Sequence, residues 1–418
     1  MNFIDYANSR QTESNLRLDN IRVLLEILGN PEKKLKFIHV AGTNGKGSVC
    51  SFLQNIFTCA GYGTGKYISP ELIKVNERIS VDGKDISDND ILSLLSEIKP
   101  AAKSASNMGY APSQFEIWTA MAFIYFSRMN TDIVILETGL GGIGDATNII
   151  PAPAAAVITK IARDHTDYLG ETIEKITHKK CGIIKKGSVV VTTDEQEKAA
   201  ADIMENTAAE LSVPVIKTKK PRIHSFNGSF EVFDYGDIKD IEIRNMCGPY
   251  QVSNACIAIE TASMFGISEE NIKKGIYRAE NPARFEFLGN NIVYDGAHNP
   301  DGMRALKDSL IRYFPGKKIS FVFAAMADKD INSGLEHLVC FKESNFYTIT
   351  AENNPRSVPA EDLADILQKA GFHAAFCENS FDAIKSAAES GDVTVIMGSL
   401  YLYAQIRRCI RKFPELRN

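Results

Sequence analysis

The chain has 418 residues, 44% hydrophobic and 24% charged, with 29 glycines and 15 prolines, which excludes a disordered or fibrous protein. Domains run to roughly 100–200 residues, so this length calls for two, each able to bury a core without a disulfide or structural metal. The 47 Lys plus Arg against 52 Asp plus Glu leave a net charge of -5. That balance offers no footprint for nucleic acid or an anionic membrane, and any anionic ligand must be held by a local site.

The eight cysteines lie far apart, with no C-x-x-C pair and no zinc-ligand spacing, as free thiols of a reducing compartment do. Residues 1–14 are polar and carry Asp5, Arg10 and Glu13, without the apolar region of a secretion signal. No stretch reaches the ~20 apolar residues of a membrane span. A cytoplasmic monomer is the expectation.

Residues 16–28 place Leu18, Ile21, Leu24, Leu25 and Leu28 at helical spacing, and Gly29-Asn30-Pro31 supplies a stop. A short apolar strand at 36–40 leads into Gly42-Thr43-Asn44-Gly45-Lys46-Gly47-Ser48, after which 49–60 resumes helical spacing. Apolar, β-branched runs at 133–136, 155–158 and 189–191 read as parallel strands covered on both faces, with a helix at 115–129 before the first. Between 226 and 243 the pattern shortens and alternates around Asn227-Gly228 and Tyr235-Gly236, which predicts an antiparallel hairpin appended to the sheet. A second series of strands, at 291–294, 319–323, 346–349, 374–376 and 393–396, each precedes a helix-like stretch. Periodicity breaks over 277–290, and the division is set at 1–283 and 284–418. The fold class is α/β: a P-loop-type ATPase domain with a mostly parallel sheet, followed by a smaller Rossmann-like domain.

The Gly-rich turn carries the strongest chemistry. Between a strand and a helix, glycines let backbone N–H groups close around phosphate oxygens while Lys46 adds a point charge at the helix N-terminus. Its spacing departs from the general P-loop, with Val40 where that pattern has glycine and Gly47 where it has a hydroxyl residue. Glu137 ends an apolar strand at the edge where open parallel sheets bind ligands, and a carboxylate there suits Mg²⁺. His165 follows the strand at 155–158 in the same manner. Two segments stay open: Asp295-Gly296-Ala297-His298 is a ligand-binding turn or a plain capped one, and His178-Lys179-Lys180 is part of a site or a solvated helix face.

The Gly-rich variant resembles the ATP loop of the Mur ligase superfamily, and its Gly-Ser ending that of the folylpolyglutamate synthase and dihydrofolate synthase branch. Ser69-Pro70 with Asn76-Glu77-Arg78-Ile79 resembles that family's SPHL…NERI segment, with Glu71 in place of its His. Gln114-Phe115-Glu116 falls at the FE pterin-loop motif. Glu137-Thr138-Gly139-Leu140-Gly141-Gly142 and Asp145-Ala146-Thr147-Asn148 follow the family run, with Ile143-Gly144 in place of Arg-Leu. Asp164-His165-Thr166, Lys180, Asp295 to Pro300, Asp328-Lys329-Asp330, Pro355-Arg356 and Gly398-Ser399-Leu400-Tyr401 match later blocks in order.

The resemblance implies an ATP- and Mg²⁺-dependent ligase that adds L-glutamate to a reduced folate, with dihydropteroate as a second acceptor. It implies Lys46, His165 and Lys180 as catalytic residues, and Ser69, Glu137, His165 and Lys180 as metal ligands, Lys180 as a carbamate. Residues 42–48, Asn254, Arg284, Asp295 and His298 would contact ATP, while Arg78, Gln114, Phe115, Glu116, Gly144, Asp145 and Ala146 would border the acceptor. Asn20, where relatives carry Arg, together with Ile143-Gly144 and Glu71, keeps open a ligase for a non-folate acid. Lys179 beside Lys180, and Asn281-Pro282-Ala283-Arg284 in place of W-P-G-R, keep open a non-catalytic nucleotide-binding protein.

Overall fold

A computed structural model describes residues 17–224, 230–289 and 291–417. The first half is built on an eight-stranded sheet: β1 (Phe37–Ala41), β2 (Thr64–Tyr67), β3 (Ile79–Val81), β4 (Lys84–Asp85), β5 (Ile133–Glu137), β6 (Ala155–Ile158), β7 (Val189–Thr192) and β8 (Val215–Lys217). Its order is β4-β3-β2-β5-β1-β6-β7-β8. The run from β2 to β8 is parallel, and β3 and β4 add an antiparallel edge. The central strands are buried on both faces, because side chains alternate sides and both sides are apolar. In β5, Val134 and Leu136 join one cluster with the helices Asp19–Ile27, Asp88–Asn107 and Gln114–Arg128. Ile133 and Ile135 join the opposite one, with the helices Lys46–Cys59 and Pro249–Ser263.

The expected hairpin forms with a twist of topology. Strands β10 (Glu231–Tyr235) and β11 (Ile238–Ile243) turn at Gly236, but β10 pairs on its other side with β9 (Arg222–Ile223), which makes a separate three-stranded sheet and no addition to the large one. Phe233, Ile241 and Ile243 bury themselves against the layer of helices over the main sheet, so the hairpin serves as a third layer. Asn227-Gly228 lies outside the described residues.

The second half is a six-stranded sheet of β12 (Glu286–Phe287), β13 (Ile292–Asp295), β14 (Ile319–Phe323), β15 (Asn345–Thr348), β16 (His373–Phe376) and β17 (Val393–Met397). Its order is β12-β13-β17-β14-β15-β16, parallel except for β12. Each parallel strand is followed by a helix, as the sequence pattern predicts. The two halves are pinned together at Glu231, which is fully buried and takes hydrogen bonds from Arg312 and the Tyr313 hydroxyl of the helix Pro300–Tyr313. The Gly248 N–H in turn donates to that hydroxyl at 2.7 Å. No helix among the described residues is long and apolar enough to cross a membrane.

Candidate active site

The C-terminal ends of β1, β5 and β6 lie side by side and face the second sheet, and a cavity of about 450 Å³ opens between them. Residues 42–48 form its floor. Gly42 (φ 150°) and Gly45 (φ 91°) occupy backbone that side chains rarely adopt, and both are crowded: a Cβ would lie 1.8 Å from Thr159 Oγ1 and 2.3 Å from Asn254 Oδ1 respectively. The turn is therefore gripped from two sides, by the β6 loop and by the helix Pro249–Ser263, and is no loose Gly-rich loop. Lys46 opens its helix, and its Nζ donates to the carbonyls of Gly42 (3.2 Å) and Thr43 (3.3 Å), 3.9 Å from Glu137 Oε1. Ser48 is buried and its hydroxyl accepts from Asn281 Nδ2 at 3.0 Å.

Ser69, Glu137, His165 and Lys180 line the same cavity. Glu137 is held at the tip of β5, where burial pushes its carboxyl up while Lys46, Arg284 and the Ser69 N–H favour the charged form. His165 sits in left-handed backbone (φ 51°), a conformation that costs a side-chain-bearing residue about 1–3 kcal/mol and is retained where a site needs it. Burial lowers its imidazole to about 4, with Asp164 opposing and Lys329 and Lys46 adding to the shift, so the ring is neutral and has one nitrogen lone pair to offer, with Lys329 Nζ 3.4 Å from Nε2. Lys180 is buried while His178 is exposed, so the charged run does not share one face. Its Nζ donates to the Gly42 carbonyl at 2.7 Å, and burial together with Lys46 lowers it to about 7. Oxygen donors plus one neutral imidazole fit Mg²⁺. A free amine at Lys180 does not, whereas its carbamate would.

On the second-domain side, Asp295 is buried and accepts from the Tyr250 hydroxyl (2.9 Å) and from the N–H groups of Phe285 (2.9 Å) and Ala297 (2.8 Å). It caps the turn and also fixes the segment carrying Arg284, which lines the cavity between two left-handed residues, Ala283 (φ 63°) and Phe285 (φ 47°). Asn254, tethered to Gln251 at 2.9 Å, lines the end of the cavity near Thr193, Lys220 and Tyr250.

A second cavity of about 330 Å³ shares Ser69, Leu140, His165, His298 and Leu400 with the first. Arg78, Phe115, Glu116, Gly144, Asp145 and Ala146 line it; Gln114 does not. Phe115 reaches it because Gly139 leaves room: a Cβ there would lie 2.5 Å from the ring. Two of the acidic residues spend their carboxylates on the protein. Glu116 accepts from the Ser113 N–H in a capping box and is bonded by Asn20 and the Ile21 N–H, and Asp145 accepts from the N–H groups of Leu140 (2.6 Å) and Thr147 (3.0 Å). Burial raises both. Arg78 is paired with Glu71 through Nε at 2.6 Å. The opposite wall comes from the second domain, with Asp328, Lys329, Arg356 and Tyr401, all within the matched blocks, and Arg17, which no motif marks, contributes from the first.

Residues 40–262 match the Mur ligase middle domain, and residues 283–400 the Mur ligase glutamate ligase domain. The dihydrofolate synthase/folylpolyglutamate synthase of Bacillus subtilis is 34% identical over 417 residues, covering 94% of this chain and 95% of that protein. The chain belongs to the folylpolyglutamate synthase/dihydrofolate synthase family. Folylpolyglutamate synthase of Lacticaseibacillus casei, another member, is 33% identical with 93% of each chain covered. Among solved members, the Mycobacterium tuberculosis folylpolyglutamate synthase complexed with ADP and AMPPCP superposes with a TM-score of 0.87 at 29% identity, covering 97% of this chain and 96% of its own. Escherichia coli FolC in complex with DHPP and ADP gives 0.86 at 27% identity, covering 98% and 97%. Family membership thus agrees with the α/β architecture drawn from the alternation of strands and helices, and with the ligase reading drawn from the Gly-rich turn and the motifs that follow it.

Proposed function

We propose that the protein is an ATP-dependent ligase that joins L-glutamate to the carboxylate of a reduced folate, with dihydropteroate as a slower second acceptor. The observation that carries this reading is the shared wall of the two cavities. A phosphate cradle with Lys46 and Arg284 opens, past Ser69, His165 and His298, into a pocket with an aromatic face at Phe115 and cationic groups at Arg78, Lys329 and Arg356. A carboxylate is a poor electrophile, so its oxygen must first take the γ-phosphoryl group of ATP, releasing ADP. The glutamate amine then attacks the acyl carbon, the bond to the phosphate oxygen breaks, and phosphate leaves.

This chain's part is to position and to neutralise charge. Lys46 and Arg284 flank the transferring group, and Phe115 offers a ring face to a planar pterin. Asp145 and Glu116 support the acceptor pocket by fixing the loops that border it, leaving backbone groups to meet the ligand. Lys329 and Arg356 suit the carboxylates of incoming glutamate. Ser69, Glu137, His165 and a carbamylated Lys180 would hold Mg²⁺, which supplies countercharge to the phosphates when bound.

The direct test offers Mg-ATP and L-glutamate with each acceptor in turn, following ADP release and product mass. Glutamate-dependent ADP release is expected with tetrahydrofolate and, more slowly, with dihydropteroate. Activity only with some other carboxylic acid would make this a divergent ligase, and no ADP release with any acid would leave a non-catalytic nucleotide-binding protein.

A further inference from the structure

Asn299 immediately precedes the second-domain helix Pro300–Tyr313 and is 2% exposed, with every hydrogen-bonding position of its side chain in use. Its Oδ1 accepts from the Gly302 N–H at 2.8 Å and from Asn44 Nδ2 at 3.1 Å. Its Nδ2 donates to Asn44 Oδ1 at 3.1 Å and to Asp164 Oδ2 at 3.0 Å. An amide has two acceptor and two donor positions, so the set is complete. One of the four bonds caps its own helix, and the other three cross the cleft.

The two partners across the cleft are the parts of the first domain that must be set together. Asn44 belongs to the phosphate cradle, and its Nδ2 also donates to Asp301 at 2.8 Å. Asp164 precedes His165, and its other oxygen takes Lys329 Nζ, a second-domain group, at 2.7 Å. A single buried side chain therefore ties cradle, His165 loop and second domain into one network, and such networks lose more than one bond's worth when a member is removed.

We propose that Asn299 is a positioning residue that holds the cleft closed around the reacting groups and thereby couples ATP consumption to amide formation. The inference rests on the ligase reading. With the cleft shut, the acyl phosphate meets the glutamate amine; with it loosened, water attacks the acyl carbon, the bond to the phosphate oxygen breaks, and the original carboxylate and free phosphate are returned with ATP spent and no amide made.

A residue that mattered only as a helix cap would be replaced well by Asp or Ser. Asn299→Asp keeps the cap but loses the amide donor and sets a second carboxylate against Asp164, while Asn299→Ser keeps the cap and is too short to cross the cleft. Asn299→Ser is expected to melt within a few degrees of the parent, and Asn299→Asp lower, because its carboxylate is buried beside that of Asp164. In both, ADP released per amide formed rises from one to about three or more, and the KM for glutamate rises about tenfold while that for ATP moves less. Small-angle scattering with a non-hydrolysable ATP analogue is expected to show a larger radius of gyration in Asn299→Asp than in the parent. A ratio that stays at one in folded variants, or unchanged scattering, would overturn the proposal. If neither variant folds, Asn44→Ala breaks the same pair from the other side without touching the cap, and a ratio of one there counts equally against it. Failure of the ligase reading shows separately, as no amide product from the parent protein, and leaves the scattering arm to decide on Asn299.

Discussion

Lys46→Ala is expected to lower glutamate-dependent ADP release by on the order of a thousandfold, with the folded state intact by circular dichroism and melting temperature. The Lys46 ammonium is aimed by two carbonyls of its own loop, at 3.2 and 3.3 Å, so its position costs nothing to reorganise when a phosphate arrives. No neighbour replaces it. Lys180 shares the Gly42 carbonyl but is lowered to about 7, leaving much of it uncharged, and Arg284 approaches from the other side of the cleft. Lys46→Arg is expected to recover little, because a planar fork does not fit between the two carbonyls that cradle a compact ammonium. The fold survives because Lys46 makes only those loop bonds and a long 3.9 Å approach to Glu137. Near-normal turnover in a folded Lys46→Ala protein would move the phosphates away from residues 42–48.

What the sequence made legible follows from how strongly physics constrains each position. The strands β1, β5 and β6 stand out because a strand buried on both faces is apolar nearly throughout, with His39 in β1 and Glu137 at the tip of β5 the exceptions, and the Gly-rich turn stands out because few residues tolerate its backbone. The strands β2 to β4, at one side of the sheet, leave little trace: they are short, and Lys66 and Lys84 interrupt any apolar run. Carboxylates mislead for a different reason. Glu116 and Asp145 sit in motifs that suggest direct ligand contact, yet both are taken up by backbone N–H groups, and only the Ser113-x-x-Glu116 spacing hints at this beforehand. Asn299 and Lys329 lay within matched motifs, but their partners, Asn44 and Asp164, are separated from them by more than a hundred residues, and no local pattern pairs them. Lys180 had a readable signal in helix phase. Ile173, Ile176, Thr177 and Lys180 fall at i, i+3, i+4 and i+7, an inward stripe that includes the lysine and leaves His178 outside.

That stripe bears on the second large effect, the carbamate at Lys180. Carbon dioxide reacts with a neutral amine, forming an N–C bond and releasing the amine's proton, so the modification needs a lysine that is unprotonated near neutral pH. Burial among apolar neighbours, helped by Lys46, puts Lys180 at about 7, and the carbamate keeps one N–H with which to hold the Gly42 carbonyl. Labelled bicarbonate is expected to give a carbamate ¹³C signal in the parent that is missing in Lys180→Ala, with activity in the variant down by about a hundredfold or more. The pH dependence has a fixed sign. Below about 7 both folded and unfolded chains carry a charged Lys180, and the folded state bears the full cost of burying it. Above that value the folded chain sheds the proton while the unfolded one keeps it up to its ordinary value near 10.5, so stability of the unmodified protein rises with pH across that window. Carbamate occupancy at fixed dissolved CO₂ rises through the same point. A Lys180→Ala protein with full activity, or a parent whose carbamate signal is absent at pH 8, would leave Glu137, Ser69 and His165 to hold the metal without an added anion, and would turn the buried amine into a purely structural clamp on the phosphate loop.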